Sequence, residues 1–133
     1  MSQSVLYIED DPMSRRVLEF LLKKDLGYEH VTIFKDSHNL MERVLEINPT
    51  PTLIFLDIHV RPVDGFGMLK ELRQHPHFKD ATIIALTASV MNDEIVLLRQ
   101  AGFNGLIAKP INQRIFAHSL DKILRGEPEW RVF

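Results

Sequence analysis

Short apolar runs and amphipathic stretches take turns along this chain of 133 residues, and that alternation limits its fold more than any other feature. Five runs, Val5–Ile8, Val31–Phe34, Leu53–Leu56, Thr82–Leu86 and Leu106–Ala108, are rich in β-branched or aromatic residues and too short for core helices. They read as strands. Between them, and after the last, apolar residues recur at steps of three and four, which predicts helices with one inward stripe. Val17, Phe20, Leu21 and Lys24 mark the first stripe, Leu40, Val44 and Ile47 the second, and Met68, Leu69 and Leu72 the third. Ile95, Leu98 and Phe103 mark the fourth, and Ile115, Phe116, Leu120, Ile123 and Leu124 the fifth. Met13, Met41 and Met68 fall on these stripes as core filler would. Pro12 and Asn112 suit helix starts, and Asp93 and Glu94 put negative charge where a helix N-terminus is partially positive. Gly27, Gly102 and Gly126 suit the ends of the first, fourth and fifth helices.

A strict β–α alternation implies an α/β fold: a doubly wound, five-stranded parallel sheet with helices on both faces. Ligands of such sheets bind beyond the carboxyl ends of the strands. Glu9, Asp10 and Asp11 follow the first run there, Asp57 the third, Thr87 the fourth, and Lys109 with Pro110 the fifth. Carboxylates gathered at one edge repel unless a cation intervenes, and Mg²⁺ suits all-oxygen ligands. Lys109 and the Thr87 hydroxyl offer a positive charge and a hydrogen bond to an anion. That set of groups is suited to a phosphoryl group, with Asp57 as nucleophile. Composition removes competing chemistries. The chain has no cysteine, which excludes thiolate catalysis and cysteine-held metals, and its six histidines lack zinc-ligand spacing. A net charge of −2 does not favour nucleic acid, and no run approaches the ~18 apolar residues of a membrane span. With no secretory signal at Met1-Ser2-Gln3-Ser4, a cytoplasmic location is expected.

The segments VLYIEDDP, LIFLDI, ALTAS and IAKP, in this order and spacing, resemble the response-regulator receiver domains of two-component signalling, the chemotaxis regulators among them. The resemblance spans about residues 4 to 125 and implies a flavodoxin-like (β/α)5 sheet of order 2-1-3-4-5. It implies that Glu9 and Asp10 are the acidic pair, Asp10 the more direct Mg²⁺ ligand, and that the His59 main-chain carbonyl is a further ligand. It implies that Asp57 is the phosphoacceptor and a metal ligand, Thr87 the switch hydroxyl, and Lys109 the ion-pair partner. The Pro110 peptide is expected to be cis, and Asp11 to cap the first helix. The phosphodonor would be a sensor histidine kinase or phosphotransfer protein, and the output a surface shown to a downstream protein. A second copy of the chain is a further candidate partner.

Two features depart from the family pattern. The usual Met-Pro after the phosphoacceptor is absent, the loop reading His59-Val60-Arg61-Pro62-Val63-Asp64-Gly65 with its proline displaced by one position. Leu106 stands where many members carry an aromatic residue that swings with the threonine. Taken singly, the site residues are ordinary: an acidic helix start, a turn aspartate, a capping threonine, a surface lysine. Only their convergence separates them from that reading. Two other functions compete for the same residues. A haloacid-dehalogenase-type phosphatase wants a second Asp two positions after its nucleophile, where this chain has His59. A phosphorylation-independent interaction module would have no need of Asp10, Asp57, Thr87 and Lys109 together. The expectation is therefore a stand-alone regulator, not an enzyme beyond its own phosphorylation and dephosphorylation. Its receiver domain is placed at 1–126 and a short tail at 127–133, whose Trp130 is expected to dock near the fifth helix or onto a partner.

Overall fold

A computed structural model describes residues 3–88, 91–128 and 130. Five parallel strands form one sheet in the order β2-β1-β3-β4-β5: β1 Ser4–Ile8, β2 His30–Phe34, β3 Leu53–Asp57, β4 Thr82–Thr87 and β5 Gly105–Ala108. The helices are α1 Pro12–Phe20, α2 Leu40–Leu45, α3 Gly65–Gln74, α4 Asn92–Ala101 and α5 Gln113–Leu124. A π-turn, Leu21–Asp25, continues α1. The expected fold class, strand order and helix placement are all present. Asp57 and Thr87 are the last residues of their strands rather than the first residues beyond them.

Strand alternation sorts the core into two layers. Leu6, Ile8, Ile54, Leu56, Ile83 and Ala85 meet α2, α3 and α4 on one face. Val5, Tyr7, Leu53, Phe55, Ile84 and Leu86 meet α1 and α5 on the other. A central sheet covered on both sides explains why β1 and β3 are apolar throughout rather than alternating. Chain punctuation acts where expected. Asp11 caps α1, its carboxylate accepting from the Ser14 N–H at 2.8 Å, Pro12 opens the helix, and Asn112 caps α5. Gly102 ends α4 at φ 106°, in the left-handed region that glycine tolerates best.

Three expectations need correction. The stripe of α1 holds only in part: Leu21 is buried and Val17 packs against the core, Leu18 and Leu22 are buried beside them, and Phe20, Lys24 and Met13 face outward. Apolar residues lie on more than one side of this helix, and packing against β1 and β3 selects among them. On α5, Phe116, Leu120 and Ile123 carry the burial, leaving Ile115 and Leu124 exposed. Trp130 is half-buried as expected of a docked tail, but against the α2–α4 core layer rather than the layer of α5, with the Arg99 guanidinium of α4 5.9 Å from its ring centre.

Candidate functional site

Register brings the carboxyl ends together. Ile8 pairs with Leu56, so Glu9 and Asp57 follow side by side, while Thr87 pairs with Ala108 and Lys109 follows directly. Lys109 donates its own N–H to the Thr87 carbonyl at 2.9 Å, and the Lys109–Pro110 peptide is cis as expected. From there the Lys109 stem carries its ammonium to 2.9 Å from Glu9 Oε1 and 3.6 Å from Asp57 Oδ2.

Glu9 is fully buried and heavily engaged. It accepts from the Tyr7 hydroxyl at 2.9 Å and from Lys109, and its carbonyl accepts from the Arg15 guanidinium at 2.9 Å. Asp10, the next residue, is exposed. Burial raises the proton affinity of Glu9, and a hydrogen bond shared with Asp57 adds to it, Lys109 pulling the other way. Burial alone would lower the Lys109 ammonium, but the hydrogen bond and charge of Glu9, then Asp57 and Asp11, carry it upward. The result is a charged lysine between two carboxyl groups, of which the buried Glu9 resists ionisation. Tyr7 is pushed strongly upward by burial and by Glu9, so it stays a neutral donor.

Carboxylate oxygens of Glu9, Asp10 and Asp57 lie within 4.8 Å of one another. This hard, all-oxygen set fits Mg²⁺ and no soft metal. His59 is exposed, and its N–H donates to Asp57 Oδ1 at 3.2 Å. The loop beyond it is fixed by the buried Ser37, whose N–H donates to the Arg61 carbonyl, and whose hydroxyl bonds both the N–H and the carbonyl of Val63 at 2.7 Å. The displaced proline sits in this loop behind a cis Arg61–Pro62 bond. Gly65 closes it against the end of β3: a Cβ there would stand 2.8 Å from Ile58 Cα, so only glycine lets α3 approach so near.

Thr87 is fully buried, and its hydroxyl donates to Glu94 Oε1 of α4 at 3.1 Å. The structure thus gathers Glu9, Asp57 and Lys109 directly, with Asp10 beside them and Thr87 turned toward α4. Two partners escaped the sequence reading. Tyr7 was visible as the strand residue two before Glu9, hence on the same face, and Glu94 looked like an ordinary helix-start acid.

Residues 5–121 match the response regulator receiver domain family. The chain belongs to that family. The chemotaxis protein CheY1 of Helicobacter pylori is 26% identical over 120 residues, covering 90% of this chain and 95% of its own. A solved response regulator from Chloroflexus aurantiacus superposes with a TM-score of 0.82 at 25% identity, over 94% of this chain and 99% of that one. The receiver domain of the sensor histidine kinase PA1611 from Pseudomonas aeruginosa superposes at 0.77 and 28% identity, over 95% and 98%, and holds a magnesium ion in its active-site cleft. Phosphorylation by a kinase is the general function of such receiver domains. Among the described residues, no helix is long and apolar enough to cross a membrane.

Proposed function

We propose that this chain is a phosphorylation-controlled switch in which Asp57 takes a phosphoryl group from a phosphohistidine on a sensor kinase or phosphotransfer protein. The observation that carries this reading is the meeting of Glu9, Asp57 and Lys109, from the ends of three different strands, around one ammonium. A structural ion pair needs one carboxylate; the second leaves a nucleophile beside a cation. An Asp57 oxygen bonds to phosphorus as the donor N–P bond breaks, and the imidazole leaves with that electron pair and takes up a proton. Lys109, already within reach of Asp57, turns its charge toward the incoming phosphoryl oxygens. Asp10, Asp57, Glu9 and the His59 carbonyl would hold Mg²⁺, which when bound offsets phosphoryl charge. Asp10 and Asp57 are the readier donors, because Glu9 is engaged by Tyr7 and Lys109. The protein acts on its own phosphorylation state and on no other substrate, passing the signal to a partner protein in the cytoplasm.

Intact mass after incubation with Mg²⁺ and acetyl phosphate tests this. The wild type gains one phosphate and Asp57→Asn gains none, while Asp10→Asn is labelled more slowly because it holds metal less well. Full labelling of Asp57→Asn would overturn the reading, and steady turnover of a small phosphate ester would favour a phosphatase instead.

A further inference from the structure

The first turn of α4 is tied to β4 by a side chain rather than by a cap. Met91 supplies no side-chain cap for the helix, and Glu94 instead reaches back to accept the Thr87 hydroxyl at 3.1 Å. Strand alternation shows which way this aims Thr87. It continues Ile83 and Ala85, which face the α2–α4 layer, whereas Asp57 continues Leu53 and Phe55, which face α1 and α5. A hydroxyl carries a single proton, and an ionised carboxylate is a strong acceptor for it. While Glu94 holds that proton, Thr87 cannot donate it to an oxygen bound at Asp57.

We propose that Glu94 is a positioning residue: a latch that holds the Thr87 hydroxyl away from Asp57 in the unphosphorylated protein and must open for the switch to close on a phosphoryl group. This rests on the reading of Asp57 as the phosphoacceptor. Glu94 has room to open, because it lines an open cleft of about 430 Å³ together with Ile58, His59, Phe66, Met91, Leu97 and the acids Asp64 and Asp93. The released carboxylate swings into that space without disturbing the packed core. Met91 and Leu97 on the same wall are exposed apolar residues, so releasing the first turn of α4 from β4 alters a surface as well as a bond. A ligand that needs the open state binds more weakly by the fraction of molecules that are open. Removing the latch therefore strengthens binding of any phosphoryl mimic at Asp57.

The test is a beryllofluoride titration of the full chain in saturating Mg²⁺, followed by fluorine NMR. Glu94→Ala is expected to bind roughly five- to tenfold more tightly than wild type, the factor that one hydrogen bond of ordinary net strength represents. Glu94→Gln keeps a neutral acceptor and is expected to fall between the two. In a Thr87→Ala background the Glu94 substitution should change nothing, since no hydroxyl remains to be held. A gain that persists in that background would show that Glu94 acts only through its charge, and would overturn the latch. Equal affinity of wild type and Glu94→Ala would overturn it while leaving the Asp57 reading intact. Absence of beryllofluoride binding by the wild type would overturn the Asp57 reading, and the latch with it.

Discussion

Two cations hold opposite ends of the same sheet, and they do so in opposite ways. At the amino ends, Arg73 of α3 donates to the carbonyls of Phe78, Lys79 and Ala81 at 3.1, 3.1 and 2.7 Å and to Asn104 Oδ1 at 2.7 Å. Asn104 in turn accepts from the Ile83 N–H at 2.8 Å, so α3, β4 and the start of β5 are joined through one guanidinium. Every acceptor there is neutral and fixed. At the carboxyl ends, Lys109 faces Glu9 and Asp57, both ionisable and both able to exchange it for another partner. The planar fork of arginine suits several fixed carbonyls, while the point charge of lysine suits an anion that comes and goes. One end is closed, and the other is left with more negative charge than its lysine offsets.

The sharpest way to break this contrast is to remove each cation in turn. Arg73→Met strands carbonyls that it satisfies at the edge of the core and should cost about 3 kcal/mol of stability in urea unfolding, with beryllofluoride affinity unchanged. Lys109→Met should do the reverse. Without Lys109, burial and Asp57 push the proton affinity of Glu9 further up, so Glu9 can neutralise by taking a proton and the fold tolerates the loss better than it tolerates the loss of Arg73, while binding of the mimic collapses. If the two variants lost stability and affinity in the same proportion, the division between a structural and a functional end would be wrong.

A cation supplied from outside probes the same imbalance. An ion that binds only the folded form stabilises it by RT ln(1 + [L]/Kd), about 2.7 kcal/mol at a hundredfold excess over Kd. Millimolar Mg²⁺ should raise the melting temperature of the wild type and raise it less for Asp10→Ala. It should do nothing selective at the Arg73 end, where every acceptor is a neutral carbonyl or amide oxygen. An equal rise in wild type and Asp10→Ala would mean general screening.

What the sequence made legible follows the same division. The sheet, its crossovers and the site residues could be read because strand runs and strand ends are local patterns. Asp57 after LIFL and Lys109 after LIA need only a parallel sheet to meet. Arg73 looks like any basic residue in the last turn of a helix, and its acceptors lie up to thirty-one positions away, in segments that no periodicity links. Glu94 and Thr87 are seven positions apart across a loop, so only the fold shows that they touch. The exposure of Phe20 and Met13 has a related cause: a helix with apolar residues on two sides buries the one its neighbours can use.

The smallest expected effect is a pH dependence, and its sign separates the two ends. Glu9 binds a proton more tightly in the folded chain than its ordinary value of 4.5 implies, first through burial and then through Asp57. A raised folded value means that the folded state holds the proton longer than the unfolded one, so this contribution is complete below 4.5 and fades as pH climbs through the raised value. Asp11 and Asp36 behave oppositely. The Ser14 hydroxyl and N–H hold Asp11 below its ordinary 3.8, and the His38 N–H does the same for Asp36, so what they add is lost only as pH falls below that value. Lys109 is raised from 10.5 and keeps its contribution throughout the range in question. From 4.5 toward neutrality, then, Glu9 sets the slope among these groups, and the melting temperature of the metal-free protein should decline by a few degrees at most. Asp57→Asn removes the competing carboxylate and should flatten the decline. Mg²⁺ should flatten it too, since a bound cation does for the pair what the proton does at lower pH. Thermal melts across that range in the presence of a chelator decide the matter. A metal-free wild type that gained stability toward neutrality would show that Lys109 offsets both carboxylates after all, and that the carboxyl end of the sheet is as closed as the end held by Arg73.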